Sequence, residues 1–205
     1  MKPQEIEDLS FKIIEREAGD HGFSDDQWPI VRRMIHTSAD FEYIHTVRFH
    51  PDAVQKGIAA IKSGCRIFTD TNMARVGIRK KEIQDFGGEV RCLIADEAVA
   101  AAAKKQGTTR ALAAVDMACD WMKDGIYVIG NAPTALLRLI ELIKDQKASP
   151  ALIIGIPVGF VNAAESKEAL MALDVPYITS KGRKGGSNIA ASIVNALAIM
   201  AVGQQ

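Results

Sequence analysis

Hydrophobic positions along the 205-residue chain fall into two recurring rhythms. Short apolar runs rich in β-branched residues occur at 65–69 (CRIFT), 90–95 (VRCLIA), 126–129 (IYVI), 151–156 (ALIIGI) and 176–179 (PYIT). They lack the polar/apolar alternation of a half-exposed strand, as expected of strands covered on both faces. Between and after them lie stretches with helical spacing at 96–105, 109–123, 134–144, 163–173 and 188–200. Repeated strand–helix units predict an α/β fold: a parallel sheet of about five strands, flanked by helices and joined by right-handed crossovers. The first 64 residues read as helices alone, at 6–18, 25–38 and 52–63, which form an N-terminal helical layer or an arm for a partner subunit. No linker, repeat or low-complexity segment stands out, so 1–205 reads as a single domain with a helical part (1–64) and an α/β part (65–205).

Composition narrows the partners. Lys plus Arg and Asp plus Glu are 25 each, the net charge is zero and the pI is near 6.9. That argues against a nucleic-acid binder, which shows a basic excess, but leaves room for a local basic patch facing a small acidic ligand. Cys65, Cys92 and Cys119 are odd in number and far apart, with no CxxC pair. A zinc ribbon is therefore disfavoured, and isolated thiols suggest a reducing, cytoplasmic setting. Residues 1–8 are polar and acidic, unlike a signal peptide, and the apolar run 189–202 contains Ser192 and Asn195 and is too short to span a membrane.

In parallel sheets ligands bind beyond the carboxyl ends of the strands. Those ends here carry Asp70-Thr71-Asn72, 130–134 (GNAPT), 157–162 (PVGFVN) and 180–187 (SKGRKGGS), each leading into a helix. Asn131 or Thr134, Asn162 with Glu165, and Ser187 have spacings that suit helix capping. Several helix N-termini with free N–H groups would then converge on one edge, each favouring an anion by roughly 0.3–1 kcal/mol. Lys181, Arg183 and Lys184 add full charges, so a ligand with several carboxylates or phosphates suits the edge. Gly and Pro after a strand are also common punctuation, and one such loop alone would mean little. The 182–187 segment (GRKGGS) lacks the GK[ST] ending of a phosphate loop, and no GxGxxG opens a helix.

The histidines His36, His45 and His50 are spaced unlike an HxxxH face or a zincin motif, so no protein metal site is expected. His36 ends the amphipathic helix 28–35, with Arg32 and Arg33 just before it. A helix C-terminus favours the charged imidazole and the arginines oppose it, and such a side chain suits proton donation near neutral pH. A surface histidine in a helix-ending turn is the plainer reading of the same spacing. No nucleophile motif such as GxSxG is present.

Specific blocks carry a resemblance: 31–43 (VRRMIHTSADFEY), 68–78 (FTDTNMARVGI), 130–136 (GNAPTAL), 155–170 (GIPVGFVNAAESKEAL) and 182–196 (GRKGGSNIAASIVNA), with Ser10-Phe11 and 107–116 (GTTRALAAVD). The chain resembles the precorrin-8X methylmutase family over nearly its whole length, most closely its cobalt-precorrin type. The resemblance implies an isomerase of cobalamin biosynthesis. It would move a ring-C methyl of a tetrapyrrole from C-11 to C-12, giving cobyrinate from a cobalt substrate or hydrogenobyrinate from a metal-free one. It implies no dissociable cofactor, any cobalt being part of the substrate, and a homodimer with sites near the subunit interface. The family's essential histidine falls on His36, and family substrate-binding positions fall on Ser10 and Arg33. Thr71, Arg110, Asn131 and Ser187 lie in matching blocks and are further candidates for substrate contact. A non-catalytic corrinoid carrier, or a phosphosugar or nucleotide enzyme using the 182–187 loop, are the alternatives.

Overall fold

A computed structural model describes residues 2–203; Met1, Gln204 and Gln205, the outermost residues of the expected 1–205 domain, lie outside the described residues. In chain order the elements are α1 (Pro3–Ala18), α2 (Trp28–Ser38), α3 (Tyr43–Thr46), β1 (Val47–Phe49), α4 (Ala53–Lys62), β2 (Arg66–Thr69), α5 (Asn72–Gly77), α6 (Lys80–Asp85), β3 (Glu89–Arg91), α7 (Glu97–Gln106), α8 (Arg110–Ala118), β4 (Ile126–Ile129), α9 (Pro133–Lys144), β5 (Leu152–Gly155), α10 (Ala163–Met171), β6 (Tyr177–Ser180) and α11 (Ser187–Gly203). The strands form one six-stranded sheet in the order β1-β6-β5-β4-β2-β3. Every neighbouring pair is parallel except β1 with β6.

Four of the five expected apolar runs are strands because the sheet is covered on both faces. The run 90–95 is corrected, since edge strand β3 spans Glu89–Arg91 with exposed ends and 92–95 lie in the loop after it. Ile67, Ile126, Val128, Leu152 and Ile154 point into one core with α2, α4 and α11. Their chain neighbours Phe68, Tyr127, Ile129 and Ile153 point into a second core with α7, α8 and α9. Alternate side chains of a pleated strand face opposite ways, so a strand with both faces covered must be apolar throughout. Helix α11 is buried along most of its length and packs against α2, α4 and α5. A helix apolar nearly all round has to lie inside, where its alanines allow close approach.

The expectation that the first 64 residues are purely helical is corrected by β1. Val47, Arg48 and Phe49 pair antiparallel with Ser180, Thr179 and Ile178. This strand is short, lies at the sheet edge and includes an arginine, so no apolar run announces it; pairing with β6 creates it. Its direction matters for the site. Because β1 runs opposite to the others, the segment entering it, 39–46, lies at the carboxyl edge of the parallel strands, where the Lys181 N–H donates to the Thr46 carbonyl at 2.8 Å.

The expected capping also changes. The residue before α9 is Ala132, which offers no side-chain cap. Asn162 precedes α10 in a left-handed conformation (φ 59°) and makes no capping bond. Ser187 is the first residue of α11, and its hydroxyl bonds the Thr71 hydroxyl. Thr71 itself caps α5, accepting from the Ala74 N–H at 3.1 Å.

The strand-end loops are pressed against one another. A methyl group at Gly130 would lie 2.7 Å from the Ser187 Cα. Backbone at that distance cannot swing aside like a side chain. We therefore expect Gly130→Ala to destabilise the protein by about 1–3 kcal/mol through overpacking, lowering the melting temperature by a few degrees in calorimetry; an unchanged melting temperature would show that the two loops can part freely.

Candidate active site

The carboxyl edge is organised by a carboxylate. Asp70 follows β2 and is 1% exposed. Its Oδ1 accepts the Gly130 N–H at 3.0 Å, and its Oδ2 accepts the Asn131 and Ala132 N–H groups at 2.8 and 2.7 Å. Burial pushes its carboxyl above the ordinary range, and the amides pull the other way. The next residue, Thr71, joins Ser187 at 2.7 Å. The dipeptide Asp70-Thr71 thus fixes the starts of α5, α9 and α11 together.

This arrangement corrects one expectation from sequence. The N–H groups at the entry to α9 are not free for a ligand, because the protein fills that anion-binding concavity with its own Asp70. Pro133, the first residue of α9, has no N–H to add. The positive groups left facing outward on this edge are therefore side chains. Lys181, Arg183 and Lys184 are exposed on the loop between β6 and α11. Arg110 is exposed at the start of α8, whose cap Thr109 meets Thr134 of α9 at 3.1 Å. The Asn131 side chain is exposed on the same edge. The 157–162 loop adds apolar surface: Phe160 is 84% exposed, and the Arg183 guanidinium sits 5.4 Å from its ring centroid.

His36 lies in the last turn of α2 and is exposed. It lines a cavity of about 290 Å³ with Ser10, Ile13, Ile14, Glu17, Ile35, Ala39 and Phe41. Contact of α1 with α2 thus brings Ser10 and His36 together. The Ser10 hydroxyl donates to the Ile6 carbonyl at 2.8 Å, a bond within its own helix. The imidazole stands edge-on to Phe11, with centroids 5.0 Å apart. Arg33 lies beyond Phe11, 5.3 Å from its centroid, and pairs with Glu7 at 2.9 Å in a neighbouring groove of about 420 Å³. Phe11 therefore stands between the His36 cavity and the Arg33 groove.

The His36 turn and the sheet edge are linked by one side chain. Lys184 pairs with Asp40 at 2.6 Å and with Glu42 at 2.7 Å, just after the end of α2. The pair holds the Asp40 carboxyl below the usual carboxylate range. The loop that carries Lys184 is held in turn by Lys167 of α10, which is 0% exposed. The Lys167 ammonium donates to the Lys184 carbonyl at 2.7 Å and to the Ser180 hydroxyl at 3.2 Å. Burial, with no compensating carboxylate, lowers its pKa to about 8.

Sequence reasoning left Asp70, Lys167 and Phe11 without roles. Asp70 had a signal, an acidic residue ending an apolar strand. Lys167 had none, since a lysine within a helix reads as a solvated face. Among the described residues no group of three or more His, Cys, Asp or Glu side chains is placed to hold a metal ion.

Fold and edge together define a three-layer α/β protein with a broad, partly apolar and basic surface at the carboxyl end of its sheet, bordered by an exposed histidine. Residues 5–200 match the precorrin-8X methylmutase family, and the chain belongs to that family. It is 51% identical to the cobalt-precorrin-8 methylmutase of Priestia megaterium, over 98% of this chain and 89% of that one. It is 47% identical to the enzyme of the same name from Salmonella typhimurium, over 96% and 94% of the two chains. A crystal structure of the precorrin-8X methylmutase of Thermus thermophilus superposes with a TM-score of 0.90 at 46% identity, covering 97% of this chain and 98% of that one.

Two predictions follow from these buried charges. Asp70→Asn keeps the shape but turns an NH₂ group toward a backbone N–H. We expect about 1–3 kcal/mol of lost stability in denaturant unfolding; unaltered stability would mean the loop holds without the carboxylate. For Lys167 the sign follows from linkage. Its pKa is about 8 in the folded protein against 10.5 for an ordinary lysine, so the unfolded chain binds more protons between those values. Wild-type stability should then rise relative to Lys167→Met between pH 7 and pH 10, by up to about 3 kcal/mol. A difference that stays flat with pH would show that Lys167 titrates normally.

Proposed function

We propose that this chain catalyses the methylmutase reaction of its family: an intramolecular shift of the ring-C methyl of a precorrin-8 tetrapyrrole from C-11 to C-12, a step of cobalamin biosynthesis. The observation that carries this reading is near-full-length membership of the family, with His36 exposed at the mouth of a cavity. His36 is assigned to proton donation or hydrogen bonding toward ring C, which draws electron density from the migrating framework. Ser10 shares its cavity. Thr71, Arg110, Asn131, Ser187 and Arg33 are assigned to the substrate. The exposed cations fit its carboxylates, and exposed Phe160 and Val161 fit its apolar framework.

Nothing in such a shift calls for a protein nucleophile or a dissociable cofactor. The enzyme's part is to hold a large macrocycle in one pose and to stabilise charge that develops as the methyl moves. We assign the cobalt-containing substrate, since the relatives from Priestia megaterium and Salmonella typhimurium, at 51% and 47% identity, are named cobalt-precorrin-8 methylmutases, although the Thermus thermophilus protein at 46% carries the name precorrin-8X methylmutase. The reading includes a cytoplasmic homodimer. Ile6, Leu9 and Ile13 form an exposed apolar stripe on α1 that suits a second copy, and among the described residues no helix is long and apolar enough to cross a membrane.

The test compares wild type with His36→Ala. Both are titrated with cobyrinic and hydrogenobyrinic acid by visible absorbance, and both are assayed for conversion of cobalt-precorrin-8. We expect the variant to lose about 10²- to 10⁴-fold in kcat, the usual contribution of a general acid, while still binding product. Equal turnover by the two would remove His36 from the chemistry. Binding without turnover by the wild type would favour a carrier, and binding of neither compound would overturn the corrinoid assignment.

A further inference from the structure

Lys167 is an anomalous polar group. It is a fully buried ammonium facing a hydroxyl and a carbonyl, with no carboxylate to offset its desolvation. A methionine of similar volume would fill the same space without that penalty, and replacing buried charges by apolar groups is often neutral or stabilising. Stability of the core therefore does not account for a lysine here. Its contacts point elsewhere. The Lys184 carbonyl accepts from both the Lys167 ammonium and the Ser180 hydroxyl, at 2.7 and 3.0 Å. That fixes the backbone of a loop whose other anchors are backbone bonds: Lys181 N–H to the Thr46 carbonyl, Gly159 N–H to the Arg183 carbonyl and Gly186 N–H to the Ile156 carbonyl. From this pinned backbone the Lys184 side chain reaches Asp40 and Glu42, just after the last turn of α2, which carries His36.

We propose that Lys167 is a positioning residue for the methyl shift, holding the 181–186 loop by the Lys184 carbonyl so that Lys184 grips Asp40 and sets the His36 turn against the sheet edge. The proposal rests on the methylmutase reading and deepens it. It joins two regions that share no element of secondary structure: the basic loop after β6, which meets the ligand's anionic groups, and the end of α2, which carries the proton donor. The same clamp fixes Arg183 beside Phe160. One buried amine thereby governs both where the macrocycle lies and where the imidazole stands relative to it. An ammonium suits this task because charge-assisted bonds are shorter and stronger than neutral ones, and one nitrogen can donate to both acceptors.

The test separates positioning from stability. Lys167→Met, Lys184→Met and the double variant are measured for melting temperature, for steady-state turnover of cobalt-precorrin-8, and for hydrogen exchange of the Lys181 and Gly186 amides. For Lys167→Met we expect an unchanged or higher melting temperature, about tenfold or more faster exchange at both amides, and a loss of about ten- to a hundredfold in kcat/KM, mostly in kcat, the scale of a small misplacement at a reacting centre. Because both substitutions break one chain of contacts, the double variant should lose less than the product of the single losses. A purely structural lysine gives the opposite result: a lower melting temperature, with kcat per folded enzyme unchanged. Multiplicative losses in the double variant would overturn the route through Lys184. If the wild type itself turns over no substrate, the methylmutase reading fails separately, and exchange at the two amides decides the anchoring alone: unaltered protection in Lys167→Met overturns it.

Discussion

The structure turns on the Asp70 carboxylate, buried at the end of β2. Three amides of the loop that follows β4 converge on its two oxygens. A buried carboxylate is tolerable only when such donors replace water. The exchange is mutual: without the carboxylate the same N–H groups would be buried near a helix start with nothing to receive them. This mutual need fixes the loop after β4 against β2. Adjacent Thr71 then reaches Ser187, so that α11, the innermost helix, begins where Gly130 leaves room for it. Core and site are therefore one problem. The contacts that seat α11 in the hydrophobic interior also set the carboxyl edge of the sheet, where the proposed site lies.

A second constraint comes from chain direction. Parallel strands deliver their following loops to one edge, but the N-terminal helices precede the parallel part and need their own route there. Antiparallel β1 supplies it, because the chain must enter β1 at the edge where β6 ends. The segment 39–46 is thereby carried to the Lys181–Lys184 loop, and the end of α2 comes with it. Without this reversal, the α2 histidine and the strand-end loops would be parts of separate surfaces.

How much of this could be read in the chain follows from which forces decide each element. Four of the parallel strands, β2, β4, β5 and β6, are legible because burial on both faces demands apolar runs such as 126–129 (IYVI), whereas edge strand β3 exposes Glu89 and Arg91 and covers only the start of the run 90–95. The three residues of β1 carry no such demand and are ordered by β6. The edge itself was legible from its glycines, prolines and asparagines. The amides at the start of α9 were misjudged as open, because local capping rules cannot see an acceptor sixty residues earlier in the chain. His36 and Ser10 were placed by resemblance, and only the packing of α1 on α2 shows that they face one cavity. The same packing puts Phe11 between that cavity and Arg33, a separation that linear proximity of Arg33 to His36 concealed.

These features share a logic with the reaction assigned to the family. A methyl group that moves between neighbouring carbons asks little of the protein in reactive groups and much in placement. Buried polar groups in such an enzyme should then serve loops more than chemistry, and that is where they are found. Asp70 holds one strand-end loop, Thr71 with Ser187 a second, and Lys167 with Ser180 a third. Each is bought with desolvation that an apolar residue would avoid. The cationic and aromatic side chains facing outward, Arg183 and Phe160 among them, inherit their positions from this inner set. The outer surface can then meet a large, many-armed anion without first being ordered by it, which keeps more of the binding energy available for the transition state.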